Sequence, residues 1–483
     1  MASDPPAESA EPTSRLAHAR NVSFLAIAEF TGKLAAFVMF AVAARVLGPA
    51  DFGQFSWSMN LALLLSTVAI WGFDIALIQL AGKDSSRLNE LLSNTLAIRL
   101  GLTPAVLLAS VVFTTVSGQN LLVGVLLTLV VIADAITQGY RAGAAVLQRQ
   151  GEIALNLVVQ RILTAVLAIS VLLAGGGLVG MSVAYLAGAT AGMAALAWSG
   201  RRIGLTPTRG LVSWTTMREL IGGSTALGLN YTLNLATFRI GVLMLGWLTS
   251  DVEVGVYSVS YRLFEALLFV VWSVDRVALP TMTASEGREP VRRGVHRSAT
   301  VVFAVFVPYI ALLVFRGADI LRLAFGSPYD VDSLLSTQLL ALALLPYGAR
   351  YLVDLGLYAR SRNGTVTVAA AVALVINVVL GLVLIPMWGA NGAAWATLIA
   401  FTAQAIAVWV FLMRMVGSPR LLRAGLAAAL ATLACLPALL SSLPLVPVLG
   451  ICAVVYPVVW LAAARLLDRA AFEVATQLVS RFR

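Results

Sequence analysis

Long stretches without a charged residue dominate the pattern of hydrophobic and polar positions along the chain. Four of them are too long for one membrane span of about 20 residues and carry turn-forming residues near their middle. They cover residues 100–133, 162–200, 363–413 and 424–464, with turns at 117–120, 175–177, 386–392 and 441–444. Each stretch therefore predicts a helical hairpin that crosses the membrane twice.

With the remaining apolar stretches, these hairpins predict an all-α polytopic membrane protein of about 14 transmembrane helices. The predicted spans are 21–46, 52–80, 91–116, 120–143, 154–174, 178–199, 219–248, 254–280, 298–315, 333–358, 364–386, 390–413, 421–441 and 445–465. Residues 1–20 are polar and rich in proline, alanine and acidic side chains, which favours a disordered tail over a secretory signal.

The basic residues fix a predicted orientation. With the N-terminus in the cytoplasm, 23 of the 33 Lys and Arg residues lie in or beside cytoplasmic segments, and three lie on the outer side. This follows the excess of positive charge in cytoplasmic loops. It requires an even number of spans, so residues 468–483 are predicted to be a cytoplasmic tail as well. The expected location is the plasma (inner) membrane.

Composition agrees with this pattern and excludes other classes of protein. The chain is 60% hydrophobic and 12% charged, and its mean hydropathy is +0.91, whereas about 25% charged residues is usual in soluble domains. The net charge of +10 is spread along the chain, so a nucleic-acid partner is not expected. Two cysteines and two histidines are too few for a disulfide framework or a histidine-based metal cluster. We expect neither a metal nor a cofactor.

Three pairs of short motifs recur between the two halves of the chain. Segment 47–56 matches 248–258, segment 148–151 matches 361–364, and the Gly-x-x-Gly turn at 177–180 matches 389–392, at offsets of 202 to 213. We therefore predict an N-lobe of spans 1–6 (21–200), a cytoplasmic linker (201–218), a C-lobe of spans 7–12 (219–414) and two accessory spans (415–467). Such parallel repeats place a substrate path at the interface of the lobes.

The first of these motifs also resembles a known family. Segment 47–53 (LGPADFG) and segment 254–263 (VGVYSVSYRL) are similar to the polysaccharide (O-antigen or exopolysaccharide) flippase branch of the multidrug/oligosaccharidyl-lipid/polysaccharide (MOP) exporter superfamily. The resemblance covers spans 1–12. It implies two six-helix lobes of the MATE type around a central cavity. It also implies a lipid-linked oligosaccharide that is carried from the cytoplasmic to the outer leaflet.

Ionisable residues inside the predicted spans are the candidate site, because a charge in hydrocarbon is costly unless it faces a partner or a cavity. We predict that six cations contact a substrate anion: Lys33, Arg239, Arg262, Arg99, Arg161 and Arg350. Five acids are predicted to couple an ion or to modulate these charges: Glu29, Asp74, Asp134, Glu265 and Asp354. Arg276 and Asp275 are further ionisable residues in span eight. All basic residues in the spans total +7 and all acids −6, a net charge of +1, which does not divide them between a cavity and helix packing.

Spacing along the helices leaves two interpretations open for most of these residues. Glu29 and Lys33, or Arg350 and Asp354, are four apart and share a helix face, so each pair either locks helices together or serves the substrate. The same holds for Asp134, Gln138 and Arg141 on span four, and for Arg262 and Glu265 on span eight. In contrast, Arg99, Arg161 and Arg239 have no acid three or four residues away. Their partner must be another helix, water or the substrate.

The leading functional hypothesis is a flippase for a polyprenyl-pyrophosphate-linked oligosaccharide that works by alternating access in polysaccharide or cell-envelope glycan assembly. An enzyme is not expected, because the chain has no Gly-x-x-x-x-Gly-Lys-Ser/Thr phosphate loop and no large outer loop. The alternatives are a cation-coupled multidrug exporter or a lipid II flippase of the same fold. The expected partners are the lipid-linked oligosaccharide, membrane lipids, a coupling ion (H⁺ or Na⁺), and a glycan polymerase with glycosyltransferases.

Overall fold

The computed structural model describes residues 12–283, 287–360, 362–417, 421–467 and 472, with side chains from residue 31 onward except at 226, 275–277, 280, 281, 363, 416 and 422. Most of the two predicted tails and the side chain of Glu29 lie outside this part. The described residues form α-helices joined by short turns and include no strand. This confirms the predicted all-α fold.

The helices are long, and most match one predicted span or a hairpin. In chain order they are α1 (Pro12–Ile70), α2 (Phe73–Lys83), α3 (Leu88–Val116), α4 (Leu121–Val146), α5 (Gln150–Leu173), α6 (Gly177–Arg202), α7 (Trp214–Leu248), α8 (Asp251–Glu265), α9 (Leu268–Thr283), α10 (Arg288–Phe325), α11 (Leu334–Tyr358), α12 (Asn363–Val416), α13 (Leu421–Leu439) and α14 (Leu445–Leu467). Two single 3₁₀ turns, Ser85–Arg87 and Arg209–Leu211, lie in connecting segments.

Eleven helical segments in the described residues are long and apolar enough to cross a membrane. Two of them, Thr31–Lys83 and Gly364–Met415, contain 53 and 52 residues and are kinked at Gly48 and Gly389, where the backbone leaves the helical region. A twelfth apolar helix, Arg423–Leu439, is shorter. The number of 14 spans therefore stays a prediction.

The kink at Gly48 shows how the sequence turns the chain between the first two predicted spans. Gly48 has φ 74° and ψ 176°, a conformation that residues with a side chain rarely adopt. Pro49 follows, and its missing N–H suits the first position of a new helix. The predicted outer turn thus coincides with this kink.

Contacts divide the chain into two compact units. Unit 1 holds Met1–Phe40 and Leu65–Tyr231, and unit 2 holds Ala41–Leu64 and Thr232–Arg483. The unit boundaries cut through α1 and α7, so both helices contribute residues to both units.

Unit 1 includes the segment that connects α6 to α7, and the start of α3 holds this segment in place. Asn89 bonds to the Gly204 carbonyl and the Thr206 N–H at 3.0 and 2.9 Å. Asn94 bonds to the Leu211 carbonyl and the Ser213 N–H, both at 2.9 Å. The connection is therefore docked against α3 along much of its length.

An ion pair fixes the end of the same connection. Arg87 lies 2.8 Å from Glu219 near the start of α7. This pair ties the turn before α3 to the start of α7.

In unit 2, the chain after the Gly48 kink crosses the start of α8 at very short range. A Cβ on Gly53 would overlap the Asp251 carbonyl, and a Cβ on Gly255 would overlap the Pro49 carbonyl. Gln54 also donates to Asp251 at 2.9 Å. Because 53 and 255, like 49 and 251, differ by 202 positions, the contact is reciprocal between matching positions of the predicted repeat.

Candidate functional site

A break in the second predicted span positions the first buried charge of unit 1. Trp71 and Gly72 have φ values of 33° and 74°, and the helix resumes as α2 at Phe73. A break at membrane depth leaves carbonyl groups without their helical partners. Such groups need a donor from elsewhere in the protein.

Arg99 of α3 supplies this donor. Its Nε donates to the Ala69 carbonyl at 3.3 Å, one Nη donates to the Ala135 carbonyl, and the other lies 2.7 Å from the Asp74 carboxylate. Arg99 is 1% exposed, and a Cβ on Gly139 would lie 2.8 Å from its Nη1. The partner of Arg99 that the sequence left open is thus another helix.

A second network in unit 1 links α4 to α5. Arg141 donates to Asn156 Oδ1 at 2.9 and 3.1 Å and to Gln160 Oε1 at 2.6 Å. Gln160 in turn donates to Asp134 Oδ1 at 2.8 Å. Asp134 and Arg141, which share a face of α4, are therefore bridged by an amide of the next helix.

Small residues on α6 hold this network in place. A Cβ on Gly192 would lie 2.5 Å from the Gln160 side chain, and Asn156 donates to the Gly192 carbonyl at 2.9 Å. Close approach at small residues is the usual way in which membrane helices pack. Asn156 and Gln160 were not predicted as site residues, although two amides four residues apart in an apolar span are a recognisable signal.

Arg161 is the neighbour of Gln160 and behaves differently from the other arginines. It lies midway along α5 and is exposed. Its Cδ would lie 2.6 Å from a Cβ on Gly32 of α1, so its aliphatic stem crosses α1 at a glycine. Arg161 forms neither a hydrogen bond nor an ion pair with any residue that the structure describes. Lys33, next to Gly32, is half-buried.

In unit 2, one glutamate joins two of the predicted cations. Glu265, the last residue of α8, lies 2.9 Å from both Arg239 and Arg262. Arg239 also donates to Asn60 Oδ1 at 3.1 Å. The three charged side chains keep 14–20% of their surface exposed. The cluster carries one positive charge in excess and sits beside the break between α8 and α9.

Arg350 and Asp354 form the deepest pair of unit 2. They are about 4% exposed, and the guanidinium lies 3.5 Å from the carboxylate and 3.4 Å from Asn234. The guanidinium also lies 5.1 Å from the ring centroid of Tyr347. These distances are long for charge-assisted hydrogen bonds, so the pair is held loosely.

The structure therefore brings most of the predicted residues together in four groups. The groups are Arg99 with Asp74, Asp134 with Arg141, Arg239 and Arg262 with Glu265, and Arg350 with Asp354; Arg161 and Lys33 lie beside Gly32. No group of three or more His, Cys, Asp or Glu suited to a metal occurs in the part of the chain that was described.

Comparison with known proteins adds a family and a fold. A family model described as "Polysaccharide biosynthesis protein" matches residues 18–286. The probable flippase AglR of Haloferax volcanii is 27% identical over 172 residues, which are 35% of this chain and 36% of that protein. The chain thus matches about a third of the length of this relative.

Two solved structures share the fold at low sequence identity. A structure of the lipid II flippase MurJ in an inward closed conformation has a TM-score of 0.74 at 14% identity, over 92% of this chain and 98% of that one. An inward-facing multidrug resistance MATE family transporter of the MOP superfamily has a TM-score of 0.67 at 13% identity, over 81% and 95%. Together with the apolar helices, these findings identify a multi-pass membrane protein with the fold of this superfamily.

Proposed function

We propose, since this chain belongs to the polysaccharide biosynthesis protein family, that it is a flippase for a polyprenyl-pyrophosphate-linked oligosaccharide. It would move this lipid from the cytoplasmic to the outer leaflet of the plasma membrane by alternating access, for polysaccharide or cell-envelope glycan assembly. Both termini would be cytoplasmic. The partly matching relative, a probable flippase, supports the transport of a lipid.

The observation that carries this proposal is Arg161. A guanidinium midway along an apolar helix is costly unless a counter-charge or water meets it. Arg161 is exposed and has no polar partner among the described residues. Its stem is nevertheless held at Gly32, so the charge is positioned rather than left to reach the membrane surface. A substrate diphosphate would supply the missing counter-charge, since guanidinium groups bind phosphate oxygens in pairs.

We assign the other cations by the strength of their present contacts. Lys33, Arg239 and Arg262 are proposed as further anion contacts, because Glu265 holds the two arginines and a diphosphate could compete with it. Arg99 is proposed to be structural, since it contacts Ala69 and Asp74 on the two sides of the break in the second span and ties them to Ala135 of α4. Glu29 and Asp134 are proposed to modulate the charges next to them.

The placement of the acids disfavours the drug-exporter alternative. A site for cationic drugs needs an acid without a cation beside it. Asp74, Glu265 and Asp354 each lie beside an arginine, and Asp134 accepts from Gln160. A lipid II flippase would bind the same diphosphate group. The two flippase hypotheses therefore differ in the glycan that is transported.

The test replaces Arg161 and measures substrate binding apart from stability. Arg161→Ala should weaken binding of a polyprenyl-diphosphate oligosaccharide to the detergent-purified protein about 10–100-fold, the effect of losing one charge-assisted hydrogen bond, and Arg161→Lys should restore part of it. Arg202→Ala, which removes a cytoplasmic arginine stacked on Trp198, is the matched control. The melting temperature should stay unchanged in all three variants.

Two results would contradict the proposal. Equal affinity of the wild type and Arg161→Ala would remove the site. Equal affinity for the diphosphate lipid and for the same lipid without its diphosphate would remove the proposed chemistry. Competition by lipid II in the same binding measurement distinguishes the two flippase hypotheses.

A further inference from the structure

A set of buried polar atoms in unit 2 lacks partners. Among the described residues, Arg350 Nε, Asp354 Oδ1 and both ends of the Gln404 amide have no hydrogen bond. Gln404 is 2% exposed, and the other two residues are 4% exposed. Buried polar groups are nearly always satisfied. Four orphaned atoms on three residues therefore point to a ligand.

The packing of α11 against the second part of α12 places these residues at one level. The rings of Tyr347 and Phe401 are 5.4 Å apart, and Leu412 packs on Gly356 further along. The two helices therefore run parallel. Arg350 lies three residues after Tyr347, and Gln404 lies three residues after Phe401. Each therefore stays on the helix face that carries the ring contact.

The Arg99–Asp74 pair of unit 1 provides the contrast. There the closest distance is 2.7 Å, and two backbone carbonyls accept from the other two guanidinium nitrogens. In the Arg350–Asp354 pair the distance is 3.5 Å. The same two side-chain types thus form a close, hydrogen-bonded ion pair in unit 1 and a loosely held pair in unit 2.

We propose that Asp354 is a proton-binding site and that its protonation releases Arg350. A proton on Oδ1 gives the carboxyl group a hydrogen to donate, and Gln404 Oε1 provides an unpaired acceptor on the facing helix. The carboxylate takes up one H⁺ and becomes neutral, so the pair changes from zero net charge to +1. Arg350 is then free to bind an anion.

The chemistry of the surrounding atoms favours a proton over a metal cation. Hard cations are held by several oxygen ligands. Here two of the four unpaired atoms are N–H donors, Arg350 Nε and Gln404 Nε2, and a guanidinium is already present. The positive charge of the guanidinium would repel Na⁺.

Few other charges bear on this site. Arg350 is the charged side chain that the described part of the structure places against Asp354. The polar or titratable neighbours are Tyr347, Tyr351 and Tyr358 on α11, Asn234 on α7 and Tyr261 on α8, while α10 presents Val295 and Phe306 at this level. Asp275 and Arg276 of α9 lie outside the described side chains.

The proton site is tested without transport, by infrared spectroscopy of the purified protein between pH 8 and pH 5. We expect that subtracting the spectrum of Asp354→Asn leaves one protonated-carboxyl band that grows with falling pH, and that the matched control Asp74→Asn keeps this band. NaCl at constant pH should leave the band unchanged. Gln404→Leu keeps the acid and removes its acceptor, so the band should remain and shift in frequency.

The proton site itself does not depend on the proposed function; only its coupling to substrate rests on that function. The outcomes of the experiment distinguish the two. Identical spectra for the wild type and Asp354→Asn, or a band that Na⁺ abolishes, overturn the proton site. If Asp354→Asn does not fold, an unshifted band in Gln404→Leu overturns it equally. A band assigned to Asp354, with substrate affinity that is independent of pH, leaves the proton site standing and removes its link to the flippase.

Discussion

At the scale of single residues, two arginines with similar sequence surroundings lie in different structural environments. Arg99 and Arg161 look alike in the sequence, since both lie in apolar runs without an acid one helical turn away. In the structure Arg99 is buried against Asp74 and two carbonyls, whereas Arg161 is exposed. The broken helix beside Arg99 contributes to the difference, because it places the Ala69 carbonyl and the Asp74 carboxylate where a guanidinium can bind both.

We predict that Arg99→Ala lowers the free energy of unfolding by about 3–5 kcal/mol, because it leaves Asp74 buried without its counter-charge. Arg161→Ala should change it by less than about 0.5 kcal/mol, as expected for an exposed site. Thermal unfolding of both variants in detergent measures the difference. Asp74→Asn combined with Arg99→Met should recover part of the loss. Equal melting temperatures for the two alanine variants would contradict the structural assignment of Arg99.

At the scale of helices, glycines fix where helices break and how closely they approach. Gly48 allows the kink after the first predicted span, and Gly53 and Gly255 let two backbones meet where a side chain would overlap a carbonyl. Gly101 of α3, in contrast, has nothing within 4 Å of its Cβ position. The same residue type is therefore required at some positions and replaceable at others.

We expect Gly53→Ala to destabilise the protein by about 1–3 kcal/mol, because the new methyl group overpacks the contact with Asp251. Gly101→Ala is the matched control and should stabilise α3 by about 0.5–1 kcal/mol, since alanine is the better helix former. Chemical denaturation of the two variants measures these changes in the free energy of unfolding. A Gly53→Ala protein as stable as Gly101→Ala would show that the close approach is not needed.

Much of the helical pattern could be predicted from the sequence, because apolar runs and turn residues act locally. The hairpin turns near 117–120 and 175–177 lie where α3, α4, α5 and α6 end or begin. The break at Trp71–Gly72 and the one after Glu265 could not be read in this way, since they depend on tertiary contacts such as those of Arg99. Pairings between helices were equally hidden, which is why Gln160 and Gln404 escaped notice.

At the scale of the whole molecule, residues 41–64 belong with the second half of the chain. They contact α7 and α8 through the reciprocal glycines and through Trp57, which donates to the Leu243 carbonyl at 3.2 Å. If the predicted N-lobe (21–200) and C-lobe (219–414) separate on one side in the proposed alternating-access cycle, these contacts would have to open, because the prediction assigns residues 41–64 to the N-lobe. The start of α3 and the linker to α7, both in unit 1, would stay together.

A pair of cross-links tests this expectation in a Cys435→Ser, Cys452→Ser background. Gln54→Cys with Asp251→Cys replaces a 2.9 Å contact of unit 2, and Arg87→Cys with Glu219→Cys replaces a 2.8 Å contact of unit 1. Both pairs should oxidise to disulfides. Glycan export should stop with the first and continue with the second, and reduction should restore it. Full export with the first pair oxidised would show that this contact stays closed during transport.

The reciprocal contact of Gly53 and Gly255 also bears on ancestry. Each glycine meets the carbonyl that lies four residues before the other, which is the arrangement of a two-fold symmetric interface between identical subunits. A half-length precursor that paired as a homodimer would make this contact twice with a single sequence. Gene duplication and fusion could then have joined the two copies without inventing an interface, and later divergence would have left the glycines unchanged because neither backbone can retreat alone.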